Sequence, residues 1–401
     1  MPFLTSTIYY GGGLYGDGPY LEAEGQEAEL VALNNALRPS PDPIQVGINL
    51  KEDIIFGDLV LNRIDENGIV WVCTDIEGWW NLPDPEIPDI ARGWGDGSYD
   101  ASGRWAARQL TLSGVILPPS SDYVSSARDT LIQQANLVRR GVWLKTLESP
   151  TRAAFVRLSG RPQINTINAR GRTEFTIGLR AADPIKYSWN DSDPEGYNIV
   201  TLPCKNIATA QTGTTTIQNV GNTPVNVFLE ITGPSVGPLI VYNVTNDQVL
   251  TVVESLRSSE TRVVTTKELT AGEATLTLSA PHTIVAGDTV EVTGIDATFN
   301  GEHLVIDVPA SNKITYLVDA LNVSPTAASG TVVRGVDVLE TDTYTQEVAV
   351  NGETIGARAY VDTLTDWLVL DPGSNQIQFS DIGEPNSSAV LKIYYRSGWI
   401  G

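Results

Sequence analysis

The clearest indication of architecture is the run Thr111-Leu112-Ser113-Gly114-Val115-Ile116-Leu117-Pro118-Pro119. It is rich in strand-forming residues and ends at two prolines, which cannot continue a hydrogen-bonded ladder. A helical pattern follows over residues 122–140, with Ser121 and Asp122 as N-caps and Gly141 after its end. Its apolar residues recur at helical spacing: Val124, Ala127, Leu131, Ala135 and Val138, with Ile132 beside them. The sequence therefore predicts a strand followed by one amphipathic helix.

Most of the remaining chain shows the alternation of polar and apolar residues that is typical of half-buried strands. Examples before residue 190 are 155–160 and 172–180, and the last long example is 389–395. The runs 214–222 and 225–231 are predicted to be hairpin partners, because a Gly-Asn-Thr-Pro turn joins them. The fold class is therefore predicted to be mainly β with one helix.

Composition divides the chain into three parts. The polar, turn-forming segment after Ser188 marks the end of an N-terminal domain, residues 1–195, which contains the helix. Residues 264–335 hold four alternating runs separated by turns, and we predict that they form a small inserted β-domain. Residues 196–263 and 336–401 then form one C-terminal β-sandwich around it.

The charge of the chain is strongly negative and unevenly distributed. Its 401 residues include 48 acidic and 26 basic ones, a net charge of −22, which argues against wrapping nucleic acid or binding anionic lipid. Residues 1–100 carry 18 acidic and 4 basic residues, whereas residues 101–200 carry 8 and 13. Either these stretches pair within one domain, or the basic stretch meets an acidic face of a second copy. In the second case Arg139 and Arg140 are predicted contact residues.

Several other classes of protein are disfavoured. No apolar run approaches the roughly 18–20 residues that span a bilayer, so no membrane insertion is expected. The first residues, Met-Pro-Phe-Leu-Thr-Ser-Thr, lack the basic region and apolar core of a secretion signal. The two cysteines, Cys73 and Cys204, fit a reducing compartment and cannot supply a thiolate zinc site.

Three motifs resemble catalytic or ligand-binding patterns without completing them. Gly11–Gly16 matches G-x-G-x-x-G, but Asp-Gly-Pro and no βαβ unit follow, which favours a glycine-rich turn. Residues 191–196 begin like a calcium loop, but its twelfth position is Leu202 instead of glutamate. The histidines, His282 and His303, lie beside no nucleophile and are predicted to be surface residues. We therefore expect no enzyme activity, cofactor or metal.

Tryptophans and carboxylates cluster between residues 71 and 89, with one further tryptophan at residue 94. The cluster comprises Trp71, Trp79, Trp80 and Trp94 with Asp75, Glu77, Asp84, Glu86 and Asp89. Trp faces stack on sugars, so a carbohydrate site is one interpretation. The favoured interpretation is that tryptophans anchor the core or a subunit contact, and Trp79, Trp80 and Trp94 are the predicted contact residues. The proline-rich segment 81–88 is predicted to be extended, as an arm lying on a neighbour or as a stiff loop.

The order of the motifs resembles that of the distal tail proteins of long, flexible-tailed bacteriophages. The resemblance includes residues 103–116 with the helix after them, and Phe175–Pro184. Its most specific part is the C-terminal end, over 343–352, 367–377 and 393–400. There the sequence has a Val-Asn-Gly turn, a Leu-x-Pro-Gly-x-Asn turn and a final Tyr-Arg-x-x-Trp.

The resemblance implies a tail-tube-like N-terminal domain and a galectin-like C-terminal sandwich. It implies a structural virion protein, made in the host cytoplasm, that forms a ring of six at the tail tip. The implied ring joins the tail tube protein to the tip hub, or tail-associated protein, and anchors receptor-binding or baseplate parts. DNA would pass through its channel without specific binding, and we expect acidic residues of 1–100 to line that channel. The alternative is a carbohydrate-binding β-sandwich module or an accessory of a cell-wall-degrading tail enzyme.

Overall fold

A computed structural model describes residues 53–88, 90–94, 96, 98–99, 102–167 and 172–401 of the chain. In these residues one α-helix accompanies many β-strands, which confirms the prediction of a mainly β fold with one helix. The described residues divide into two compact units. The first contains those up to Tyr197 with Gly221–Thr223 and Arg396–Gly401, and the second contains Asn198–Val220 and Pro224–Tyr395. The predicted turn at Gly11–Gly16 lies outside the described residues.

The strands are numbered in chain order. Those before residue 190 are β1 (Ile54–Phe56), β2 (Leu59–Leu61), β3 (Arg63–Ile64), β4 (Val70–Glu77), β5 (Pro85–Glu86), β6 (Ile90–Ala91), β7 (Ser98–Tyr99), β8 (Arg104–Trp105), β9 (Arg108–Leu117), β10 (Val142–Thr146), β11 (Arg152–Leu158), β12 (Gln163–Thr166), β13 (Thr173–Ala181) and β14 (Lys186–Ser188). The others are β15 (Asn198–Pro203), β16 (Thr214–Asn219), β17 (Val225–Asn226), β18 (Phe228–Thr232), β19 (Leu239–Asn243), β20 (Gln248–Val252), β21 (Glu260–Thr270), β22 (Glu273–Leu278), β23 (Thr289–Thr293), β24 (Gly301–Ala310), β25 (Lys313–Leu317), β26 (Val323–Arg334), β27 (Val338–Asp342), β28 (Glu347–Val350), β29 (Val369–Leu370), β30 (Gly373–Asp381), β31 (Val390–Tyr395) and β32 (Gly398–Trp399). The helix is α1 (Val124–Val138), and short 3₁₀ turns cover Ser121–Tyr123 and Ala357–Tyr360.

The first unit is built on a large antiparallel sheet with the path β2-β1-β10-β11-β13-β9-β4-β3. The central strand β9 pairs along its length with β13 and on its other edge with β4. Its residues alternate in burial, so that Leu110, Leu112 and Ile116 enter the core. Gly114 continues this inward row, where an added Cβ would lie 2.3 Å from both Phe175 Cζ and Val72 O. Only glycine fits here, because the backbone at residue 114 lies so close to the Phe175 ring and to the Val72 carbonyl oxygen.

Helix α1 is shorter than the predicted 122–140. A 3₁₀ turn capped by the Ser120 hydroxyl, which accepts from Asp122 N at 3.4 Å, precedes it. The predicted apolar face is buried at Ala127, Leu131, Ala135 and Val138, whereas Ile132 lies beside that face and is 53% exposed. Periodicity therefore located the helix and its packed face, while capping decided where it begins.

The last residues of the chain return to the first unit. Strand β32 pairs with β14, and Ser188 exchanges two hydrogen bonds with Ser397, each of 2.8 Å. Residues 396–401 are therefore part of this unit, whereas the sequence places all of 336–401 in the C-terminal sandwich. The difference arises because β14 offers a free edge to a strand more than 200 residues away, which local patterns do not encode.

The second unit contains two larger antiparallel sheets, with orders β15-β31-β18-β27-β28 and β16-β30-β19-β20. Each sheet buries alternate residues, such as Leu229 and Ile231 of β18 or Ile377 and Phe379 of β30. The predicted hairpin between 214–222 and 225–231 is wrong. Strand β16 pairs with β30, and β18 lies between β27 and β31. Alternation identifies a strand, but partners are chosen by burial across the whole sheet.

Residues between β20 and β27 form a closed barrel in the order β21-β22-β25-β24-β23-β26. The four alternating runs within 264–335 are its strands β22 to β25. The barrel has its own core, built from the inward residues of all six strands with Ile284 and Phe299 beside them. Because the barrel closes, it leaves no unpaired strand edge to aggregate.

A charged cluster lies where the barrel chain begins and ends. Arg257, Asp288, Arg334 and Asp337, here called the ionic clasp, are joined by hydrogen bonds. The Asp337 carboxylate is 1% exposed and accepts from Arg257 Nε at 2.9 Å and Arg334 Nη1 at 3.0 Å. Asn351 adds a third side-chain donor at 3.0 Å. A buried carboxylate with this many donors holds together segments that are far apart in sequence.

Candidate assembly site

A groove runs between α1 and the chain that follows β11. Its volume is about 690 Å³. The lining residues are Ile132, Ala135, Asn136, Arg139, Leu158, Arg161, Pro162, Gln163, Ile164 and Asn165, here called the helix groove. Arg139 and Arg161 are the only charged residues among the described ones that line it, and no ion pair between described residues involves either of them. The groove thus combines an apolar floor with two cations.

The predicted contact residues at the helix end differ in position. Arg139 lines the helix groove, whereas Arg140 is exposed just beyond the end of α1. Here the chain turns through Gly141, whose φ of +103° lies in the region that favours glycine. Both guanidinium groups follow the C-terminal end of the helix, where its dipole favours positive charge.

A second feature is a narrow hairpin that leaves the sheet after Trp80. Two ladders of two residue pairs each hold it together, β5 with β8 and β6 with β7. We call its described residues, 81–88, 90–94, 96, 98–99 and 102–107, the aromatic arm. The predicted extended segment 81–88 forms its outgoing side. Large exposed side chains occur along the arm: Leu82, Ile87, Trp94, Tyr99 and Trp105.

The three tryptophans predicted as contact residues have different environments. Trp79 is fully buried in the core of the first unit, so its ring is not available on the surface. Trp80 is 61% exposed and Trp94 is 96% exposed. The spacing of tryptophans in the sequence did not distinguish these roles, because burial depends on where the strand β4 ends.

The carboxylates near these tryptophans are dispersed. Asp75, Glu77, Asp84 and Glu86 are exposed, and Asp89 lies outside the described residues. A cavity of about 290 Å³ beside Trp79 and Trp80 is mainly apolar, and Asp75 is the one carboxylate among its described lining residues. This cavity therefore lacks the paired carboxylates of a glycoside hydrolase.

Two buried cations support the loop that carries Trp79 and Trp80. Arg108 is 2% exposed and donates to the carbonyl oxygens of residues 78, 81, 184 and 400, at 2.6–3.0 Å. Lys186 is fully buried, and its Nζ donates to Trp79 O at 2.7 Å. The same Nζ lies 5.0 Å from the Trp79 ring centroid and 5.2 Å from that of Trp80. The sequence reading missed both residues, since an isolated basic residue beside a strand carries no local signal.

The environment of Lys186 changes its titration. Burial lowers its pKa to about 8, and the nearby positive charges of Arg108 and Arg152 act in the same direction. The unfolded chain holds this proton more tightly, with a pKa near 10.4, so the charged lysine opposes folding below pH 8. That penalty disappears as the pH rises through this window.

We expect the Lys186→Met variant to lose this pH dependence. The free energy of unfolding of the wild type should rise relative to that of the variant by about 3 kcal/mol between pH 8 and 10.5. Urea denaturation across this range measures the difference, and Lys205→Met, at an exposed position, is the matched control. Parallel pH profiles of wild type and Lys186→Met would show that Lys186 titrates normally.

The other polar motifs are structural in the described residues. Asp193 Oδ1 accepts from the backbone N–H groups of Glu195 and Tyr197, each at 3.0 Å, and closes the turn in 191–196. His282 accepts from Ile284 N at 3.1 Å, and the His303 ring stacks on Tyr316 with centroids 4.1 Å apart. No group of three His, Cys, Asp or Glu side chains in the described part of the chain is arranged to hold a metal ion.

Among the residues that the structure describes, no helix has both the length and the apolar character needed to cross a bilayer.

The C-terminal part of the chain matches a known protein family. Residues 330–399 match the family model described as "Siphovirus-type tail component, C-terminal domain". Over this segment the chain is similar to the C-terminal domain of siphovirus-type tail components. The match confirms the recognition of a phage distal tail protein, and its segment includes the two turn motifs and the Tyr-Arg-x-x-Trp end that carried the resemblance.

Two of the solved structures that match the chain are phage proteins. The chain is 11% identical to the phage SPP1 Dit protein, titled "a Paradigm of Hub Adsorption Apparatus in Gram-positive Infecting Phages", with a TM-score of 0.43. That alignment covers 81% of this chain and 93% of the SPP1 protein. A chain of the phage P2 baseplate in its activated conformation with Ca is 9% identical, with a TM-score of 0.34, covering 86% and 97%. No curated protein matches the sequence.

The structure explains the Tyr-Arg-x-x-Trp motif at the end of the chain. Arg396 lies with its guanidinium carbon 3.8 Å from the Tyr197 ring centroid and 4.7 Å from that of Trp143, and it donates to Glu195 O. The guanidinium carbon of Arg152 lies 4.6 Å from the Trp399 ring centroid. Arginine and tryptophan of the motif therefore fix the chain end to the first unit by cation–π contacts.

Proposed function

We propose that this tail component is a ring-forming structural subunit at the tip of a long phage tail. The observation that carries the proposal is the family match over residues 330–399. An exposed aromatic arm and a groove lined by Arg139 and Arg161 support a role in assembly, because both are surfaces that a partner would cover. In this role the chain acts by shape and contact and not by catalysis.

The proposed ring contains six copies and encloses the path of the DNA, as the resemblance to distal tail proteins implies. It joins the tail tube protein to the hub protein and anchors receptor-binding or baseplate parts. The exposed Asp75 and Glu77, at the end of β4, are the described candidates for the acidic channel wall. DNA moving past carboxylates is repelled and does not adhere.

Reversing the charge at the helix end tests the subunit contact. In Arg139→Glu/Arg140→Glu, like charges would replace attraction to an acidic face. We expect the concentration for half-dissociation of the ring to rise by about tenfold or more at physiological salt. Native mass measurement and sedimentation of the full chain give this value, with Lys205→Glu as an exposed control. Unchanged assembly would place the helix end outside the contact.

The second candidate function is carbohydrate binding, which the exposure of Trp80 and Trp94 favours. Stacking of sugar rings on these side chains would raise the melting temperature of the chain in the presence of cell-wall glycans. A glycan-dependent shift that Trp80→Ala and Trp94→Ala abolish would support this function. Melting curves that coincide with and without glycan would exclude it.

A further inference from the structure

We infer that the aromatic arm of one copy docks in the helix groove of a second copy of this chain. The inference rests on the proposed function, because it names the surfaces through which the ring would form. Arm and groove are different surfaces of the same unit. A contact between them is therefore head-to-tail, which is the type of contact that closes into a ring.

The arm lacks a core of its own. Its two ladders contain only two residue pairs each, and a two-stranded hairpin of this size is at best marginally stable in water. Its largest apolar side chains all face solvent, led by Trp94 at its tip. A row of exposed aromatic residues on a narrow hairpin is typical of a surface that a protein partner covers.

The helix groove offers the complementary apolar surface. Ile132 is an exposed apolar residue of α1, and it lines the groove together with Leu158 and Ile164. The latter two are partly buried and pack against the core beneath, so the floor is firmly supported. Large side chains of an arm could bury against this floor without rearranging the unit.

Charge complementarity selects a second copy as the occupant. The described residues of the arm include three acidic ones, Asp84, Glu86 and Asp96, and two basic ones, Arg92 and Arg104. One of the two basic residues, Arg104, already pairs with Glu86 at 2.8 Å within the arm. Arg139 and Arg161 are the complementary charges in the groove, and none of its described lining residues is a carboxylate. Arginine also stacks on aromatic rings, which the arm supplies.

Photo-crosslinking of the full chain tests the contact directly. A benzoylphenylalanine replaces Trp94, and Tyr344, an exposed aromatic residue of the second unit, is the control position. We expect irradiation at position 94 to give covalent dimers whose crosslinked peptide contains residues 131–139 or 158–165. The control position should give no crosslink to these peptides.

Charge reversal gives an independent readout. Arg139→Glu/Arg161→Glu should raise the concentration for half-dissociation at least about tenfold, and Trp94→Ser should do the same, since both remove central contacts. Circular dichroism of each variant checks that the fold is kept. If the chain assembles but position 94 crosslinks only to peptides outside 131–139 and 158–165, the arm–groove contact is wrong. The proposed ring would not be affected by that result. A chain that stays monomeric alone and in assembled tails contradicts the ring itself.

Discussion

Replacing Arg108 with methionine is expected to lower the free energy of unfolding of the first unit by about 3–5 kcal/mol. Methionine fills much of the same space but donates no hydrogen bond. The carbonyl oxygens of residues 78, 81, 184 and 400 would lose their donor in a buried position. The loss is large because one side chain satisfies three separate segments of the chain at once.

Tryptophan fluorescence reports this unfolding selectively, since only Trp367 of the nine tryptophans belongs to the second unit. Urea denaturation of wild type and variant gives the difference. Arg180→Met, on the exposed face of the neighbouring strand β13, is the matched control and should change stability by less than about 0.5 kcal/mol. A loss below about 1 kcal/mol for Arg108→Met would mean that water replaces the guanidinium group.

The second large effect is expected at the ionic clasp. Asp337→Asn leaves Arg257 and Arg334 facing a neutral amide in a buried site, and breaking such a cluster costs about 3–5 kcal/mol. Amide hydrogen exchange measures the loss as faster exchange in β21 and β26, the strands that begin and end the barrel. Asp319→Asn, an exposed position in the same barrel segment, is the control.

The same variant should change the response to acid. Burial by itself raises the pKa of Asp337, but hydrogen bonds from Arg257 and Asn351 outweigh it and hold the pKa below its usual range. Because the folded-state pKa is depressed, this stabilisation is complete above the unfolded value near 3.9 and is lost as the pH falls through the folded value. Asp337→Asn should therefore lower the dependence of unfolding on pH below 4. If the free energy of unfolding depends on pH below 4 in the same way in the variant and in the wild type, then other carboxylates control the response to acid.

The sequence predicts the parts of the fold that local periodicity determines. The buried face of α1 and the strands β9, β13 and β31 follow from spacing alone, because their side chains alternate between core and solvent. The partners of β16 and β18 could not be predicted in this way. Their choice depends on which distant strands complete each buried face.

The candidate site was predictable only in part. Arg139, Trp80 and Trp94, which the sequence predicts as contact residues, lie on the surface, whereas the burial of Trp79 depends on residues far along the chain. Arg161 was missed as a groove residue, because its position beside α1 results from the return of β11. Long-range packing, and not composition, places these side chains.

The closeness of the two ends of the barrel bears on how related proteins can diversify. Glu260 and Arg334 lie directly opposite each other in the ladder between β21 and β26. The chain therefore enters and leaves the barrel through residues whose Cα atoms are about 5 Å apart. Another small domain whose two ends are equally close could replace the barrel without changing the pairing of the surrounding strands. Recombination at these two positions would exchange the barrel while the rest of the fold is inherited unchanged.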